Sequence, residues 1–105
     1  MTDEKPGSTW PALRNDLLDA FLVLETREEL EAFLADLCTP GEIRAFVERL
    51  HVASLLEQDK LSYREIAELA GASTTTVVRI ARFLREMPYQ GYRLVLDRLK
   101  KKKES

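Results

Sequence analysis

Residues 73–76 read Ser-Thr-Thr-Thr, and Arg79 and Arg82 follow at helical spacing. A threonine carries a donor, an acceptor and a methyl group on a short stem. Such side chains let a backbone come close to its target. They can hydrogen-bond to base edges in a major groove and lay a methyl against that of thymine. Lys60, Ser62 and Arg64 stand a little upstream and add two cations and another hydroxyl. In this set Thr74, Thr75, Thr76 and Arg64 are the candidate base readers. Lys60, Ser62, Ser73, Arg79 and Arg82 are the candidate phosphate ligands. Bond-making chemistry has little to work with. Cys38 and His51 are each the sole residue of their type, so neither a disulfide framework nor a cysteine or histidine metal cluster is available. "GAST" does not match a phosphate loop. No catalytic residues, metal or cofactor are expected, and the chain is not expected to be an enzyme.

A run of β-branched residues is a poor way to open a helix, because it loses χ1 freedom there. The elements around it show what such a helix requires. Tyr63–Ala70 forms a short amphipathic stretch, Gly71 supplies a turn, and a second helix is expected over about Thr74–Glu86, ended by Met87-Pro88. This is a helix-turn-helix at residues 62–86. Ala67 is the small residue at the crossing of the two helices. Ile66, Ala70, Ala72, Val77 and Ile80 are the apolar residues that hold the pair together. A recognition helix enters a major groove by its N-terminal end, which is where the threonines stand. That end also carries free N–H groups and the positive end of the helix dipole. Ser73 or Thr74 is expected to cap it.

The rest of the chain reads as helix too. Residues 1–9 are expected to be a disordered lead-in. Pro11 fits the first turn of a helix running to about Leu24, with Leu13, Leu17, Phe21 and Leu24 on one stripe. "TREE", "TPGE" and "SYRE" are capping boxes, placing Thr26, Thr39 and Ser62 three residues before Glu29, Glu42 and Glu65. The second helix carries Leu30, Phe33, Leu34 and Leu37. The third, about residues 40–57, carries Ile43, Phe46, Val47, Leu50, Leu55 and Leu56. A last helix is expected over about Tyr89–Lys101, with Tyr92, Val95, Leu96 and Leu99 on one side, followed by a basic tail at 102–105. No segment alternates with the period of a strand. The fold class is all-α, about six helices, with residues 10–101 as a single domain.

The 105 residues carry a net charge of −2, but the charge is divided. Residues 1–59 sum to −8 and residues 60–105 to +6. A basic C-terminal half suits a polyanion, although the Lys100–Lys103 run supplies part of it and lysine runs at chain ends are often only solvated. No apolar run approaches the roughly 20 residues of a membrane span, and "MTDEKPGSTW" has no signal core. A cytoplasmic protein without membrane contact is expected. Six short helices in one small chain leave a thin core. The generous apolar stripes of the N-terminal helices therefore point to a homodimer.

The stretch "DLCTPGEIRAFVERLHVASLLEQDKLSYREIAELAGASTTTVVRIARFL" resembles the Trp repressor superfamily, and within it the YerC/YecD group of Trp-repressor-related proteins. The resemblance covers about residues 12–100 and rests on "LCTPGE", the "ER" with Arg49, "SYREIAELAGAS" and "T-V-V-R". It implies an intertwined homodimer in which the first three helices and the last interlock, with residues 62–86 as the DNA-reading pair. It also implies an effector pocket. The family's tryptophan contacts, a threonine and two arginines, fall on Thr39, Arg49 and Arg79. The family pattern has a glycine directly after the second arginine and a serine three residues later. This chain has Ile80 and Phe83 there. Those side chains would fill an indole slot, so the pocket is expected to be vestigial and tryptophan not to bind.

The residues and the resemblance together imply a sequence-specific regulator of double-stranded DNA, a repressor acting as a dimer without tryptophan as co-repressor. Two alternatives stand beside it. One is a helical protein–protein module without DNA binding, docked through the acidic half. The other is a DNA-binding regulator answering to a small anionic effector.

Overall fold

The computed structural model describes residues 9–86 and 88–104. Six α-helices occupy the described residues, with no strand: α1 (Trp10–Leu22), α2 (Arg27–Leu37), α3 (Pro40–Gln58), α4 (Tyr63–Ala70), α5 (Thr74–Arg85) and α6 (Gly91–Glu104). They fall into two compact units, residues 1–40 and 41–105.

In the first unit α1 starts at Trp10, and its cap falls on the last residue of the expected lead-in. Thr9 belongs to the helix as its cap, its Oγ1 accepting the Ala12 N–H at 3.3 Å. The rest of the expected lead-in lies outside the described residues. Pro11 sits in the first turn, where a missing N–H leaves no bond unmade. The helix stops at Leu22, short of Leu24, and Val23 closes it through an N–H to the Asp19 carbonyl. At α2, Thr26 accepts the Glu29 N–H at 3.1 Å as expected. The return bond of the box differs, because Glu29 accepts the N–H of Glu25 at 2.8 Å rather than that of Thr26. The cap thus reaches one residue further back into the connection. Phe21 and Phe33 meet edge to face at 5.3 Å and 76°, a favoured aromatic geometry. No residue of α1 or α2 is buried.

The second unit holds the core. Val52, Ala53 and Leu56 of α3, Ile66 and Ala67 of α4, and Val77, Ile80, Ala81 and Leu84 of α5 form one buried cluster. Burying a Val, Leu or Ile side chain stabilises by roughly 1.5–3 kcal/mol, so this cluster dominates the unit. Only the C-terminal half of α3 contributes. Phe46, Val47 and Leu50, which the periodicity placed on an apolar stripe, remain 48%, 62% and 39% exposed. The stripe is helical as expected, but these three side chains stay largely open to solvent.

α6 starts at Gly91 and runs to Glu104, so residues 102–104 of the expected tail are helical. Lys101, Lys102 and Lys103 stand in its last turn, where cations complement the negative end of the helix dipole. Arg93 ties α6 to α3, with Nη1 donating to both carboxylate oxygens of Glu57 at 3.1 and 2.9 Å.

Candidate nucleic-acid interface

The turn between α4 and α5 is set by backbone chemistry that the sequence encodes locally. Ser62 and Glu65 form a complete capping box: Ser62 Oγ accepts the Glu65 N–H at 3.1 Å, and Glu65 Oε1 accepts the Ser62 N–H at 2.9 Å. Those hydrogen bonds, first from the Ser62 backbone and then from its side chain, hold the Glu65 carboxyl below the usual carboxylate range. α4 ends at Gly71, whose φ of 69° is left-handed. Both Gly71 and Ala72 donate their N–H groups to the Ala67 carbonyl. This doubled closure turns the chain sharply and leaves Ser73 extended. Ser73 Oγ accepts the Thr76 N–H at 3.1 Å and donates to Thr76 Oγ1 at 3.0 Å. The start of α5 is therefore rigidly capped, which offsets the weak helix preference of its threonines.

α5 divides cleanly into two faces. Val77, Ile80, Ala81 and Leu84 point into the core. Thr74, Thr75, Val78, Arg79 and Arg82 are exposed. At about 100° per residue, Thr75, Arg79 and Arg82 face away from the core, and Val78 borders their stripe on the side of Arg82. Thr74 lies beside that stripe, on the flank shared with Arg85. Thr76 is half-buried, with its hydroxyl already engaged by Ser73. Arg64 and Lys60 are exposed. Arg82 approaches Glu86 only to 3.9 Å, with both side chains 69% exposed, too loose to hold it.

Four residues of the expected effector pocket, Arg49, Arg79, Ile80 and Phe83, come together. Arg49, Thr76, Arg79, Ile80, Phe83 and Tyr92 line a cleft of about 300 Å³. The Arg79 guanidinium lies 5.4 Å from the centre of the Phe83 ring, and that of Arg49 lies 5.9 Å from the Phe46 ring. Ile80 is 2% exposed and belongs to the core. Thr39 directly precedes Pro40, the first residue of α3.

Three features escaped sequence reasoning. Val78 was not among the candidates, although it stands three residues after Thr75 and four before Arg82, spacing that puts it beside them. Tyr92, assigned to an apolar stripe, lines the cleft beside two arginines. Arg85 Nη1 donates to the Tyr63 hydroxyl at 3.2 Å and ties the start of α4 to the end of α5. No spacing rule reaches across 22 residues to find that bond.

The sequence profile of the Trp repressor protein family matches residues 13–100. The chain belongs to the Trp repressor family. It is 37% identical over 86 residues to YerC of Bacillus subtilis (strain 168), an uncharacterized protein, covering 82% of this chain and 81% of that one. Among solved structures it is similar to a proposed Trp repressor from Staphylococcus aureus, with 40% identity, a TM-score of 0.77, and coverage of 85% of this chain and 87% of that one. A TrpR-like protein from Eubacterium eligens ATCC 27750 is similar as well, with 37% identity, a TM-score of 0.75, and coverage of 82% and 87%. The Trp repressor fold is a regulatory, DNA-binding one. Among the described residues no helix is long and apolar enough to cross a membrane. No group of His, Cys, Asp or Glu side chains among them is placed to hold a metal ion.

Proposed function

We propose that this chain is a sequence-specific transcriptional regulator of double-stranded DNA, a cytoplasmic repressor that acts as a homodimer. One observation carries the proposal. α5 commits one whole face to the core and leaves the opposite face, with Thr75, Arg79 and Arg82, in solvent behind a rigid cap. A helix built in this way can enter a major groove without disturbing its own packing. Thr74, Thr75 and Arg64 meet base edges, while Lys60, Arg79 and Arg82 meet phosphates. Ser62, Ser73 and Thr76 spend their oxygens on hydrogen bonds at the helix starts. The family supports the DNA partner. The exposed apolar residues Leu18 and Leu22 of α1, Val23 at its cap, and Phe46 and Val47 of α3 support the second copy.

The test compares wild type with Arg64→Ala and Thr75→Ala on a duplex selected from a random pool. Each variant should lose retention by about 1–3 kcal/mol, the discrimination that a good base contact carries, with the dimer intact in sedimentation. Affinity should fall with salt at a log–log slope of about −0.9 per phosphate neutralised. Unchanged retention with a flat salt response would instead favour a protein–protein module.

A second reading is favoured by the cleft. Arg49 and Arg79 enter it from two helices, each guanidinium lies over a phenyl ring, and no ion pair to a carboxylate is formed by either among the described residues. Two unneutralised cations in one cleft suit a small anion more than an indole, because Ile80 and Phe83 occupy its wall. On this reading millimolar tryptophan gives no saturable heat in isothermal titration. Inorganic phosphate raises the melting temperature at matched ionic strength, and Arg49→Gln abolishes that rise.

A further inference from the structure

Val78 is the one exposed apolar side chain of α5, at the border of its outward stripe, and its position has no packing explanation. It is 46% exposed. It is neither in the buried cluster nor among the hydrophobic residues packed against it. A β-branched residue at a solvent position in a helix is also less favourable than alanine. Thr74 and Thr75 precede it by one turn, each with its own γ-methyl. Together these three side chains give the leading turns of α5 a methyl-rich surface flanked by Arg79 and Arg82.

The rest of the helix narrows what such a surface can recognise. α5 contains no Asn, Gln, Asp or Glu from Thr74 to Arg85. It therefore lacks the amide that pairs with N6 and N7 of adenine and the carboxylate that accepts from the cytosine amino group. Guanine is open to an arginine. Thymine is the base whose major-groove edge ends in a methyl, and apolar contact is how it is told apart. We propose that Val78 is a specificity-determining residue that reads the 5-methyl group of a thymine in each half-site. This inference rests on the DNA-binding function proposed above.

The experiment starts from a duplex selected by the wild-type protein from a randomised pool. Each selected thymine is replaced in turn by deoxyuridine, which removes the methyl and leaves base pairing intact. At one thymine per half-site the affinity of the wild type should fall about fourfold, the worth of one buried methyl-sized group. Val78→Ala should bind the unmodified duplex more weakly by a similar factor and show no further loss at that uracil, as expected for two partners in one contact. Val78→Thr, which keeps the branched shape and one methyl, should fall between them. Circular dichroism and sedimentation should leave all three proteins folded and equally associated, since Val78 is outside the core. The inference is overturned if no uracil weakens the wild type, or if the uracil penalty is the same in wild type and Val78→Ala. If the wild type enriches no duplex at all, DNA binding itself fails, a result distinct from the other two.

Discussion

The two compact units of this chain use similar helices to opposite ends. Between Gly41 and Ser105, nine apolar side chains of α3, α4 and α5 are buried in their own chain. Between Met1 and Pro40, α1 and α2 are regular and well capped yet bury no residue. Trp10, Leu22 and Val23 are 74%, 80% and 73% exposed. Amphipathic spacing thus says that a helix has an apolar side, not whose chain will cover it. The helix-turn-helix closes on itself because its turn brings α4 and α5 together locally. The N-terminal helices meet at Phe21 and Phe33 yet bury no residue, so a second copy is proposed to cover them.

The comparison can be broken most severely at the closed core. Ile66 is 1% exposed, and Ile66→Ala should remove about 2–5 kcal/mol of folding stability, with a midpoint in denaturant that does not move with protein concentration. Introducing charge into the open surface should act differently. Leu18→Asp and Leu22→Asp should each weaken self-association by about 2 kcal/mol, the value of one buried leucine, roughly thirtyfold. Sedimentation equilibrium would show this, while the melting of the helix-turn-helix in the monomer should be unchanged. A shift of similar size in both measurements would erase the distinction between the units.

Smaller changes sharpen it. A Cβ at Gly71 would meet nothing within 4 Å, but φ there is +69°. Gly71→Ala should therefore lose about 1–2 kcal/mol from backbone conformation alone, and Gly71→Asn should lose less. Ser62→Ala should lose about 1 kcal/mol, the usual worth of a cap. It should also flatten the acid limb of the stability curve. The Glu65 carboxyl is held below its unfolded value by Ser62. Its contribution is therefore present in full above the unfolded pKa and lost as pH falls through the folded one. Wild type should lose stability across that acid window, and the variant should lose less there.

α4 was legible to the residue because both its ends are written in side chains: Ser62 with Glu65 at the start and Gly71 at the finish. α5 was legible for the same reason, its start fixed by Ser73. α6 was less so. Its start follows Gln90, which takes a left-handed φ of 56° that no glycine advertises, and its lysines prolong the helix rather than fray from it. The exposure of Thr74, Thr75, Arg79 and Arg82 was legible from helical spacing, but that of Val78 was not. Hydroxyls and cations mark a binding surface by their chemistry, whereas Val78 is an apolar residue that helix phase turns about 100° from Val77, out of the core. Thr76 is the converse case, a hydroxyl expected at a base edge that accepts from Ser73 at 3.0 Å.

The central claim is that α4 and α5 read duplex DNA as a symmetric pair. Selection of bound sequences from a random duplex pool tests it most directly. A two-fold-symmetric consensus is expected, with half-sites about one helical turn, 34–36 Å, apart. Enrichment of no sequence, or of a single asymmetric half-site bound by one copy, would contradict it.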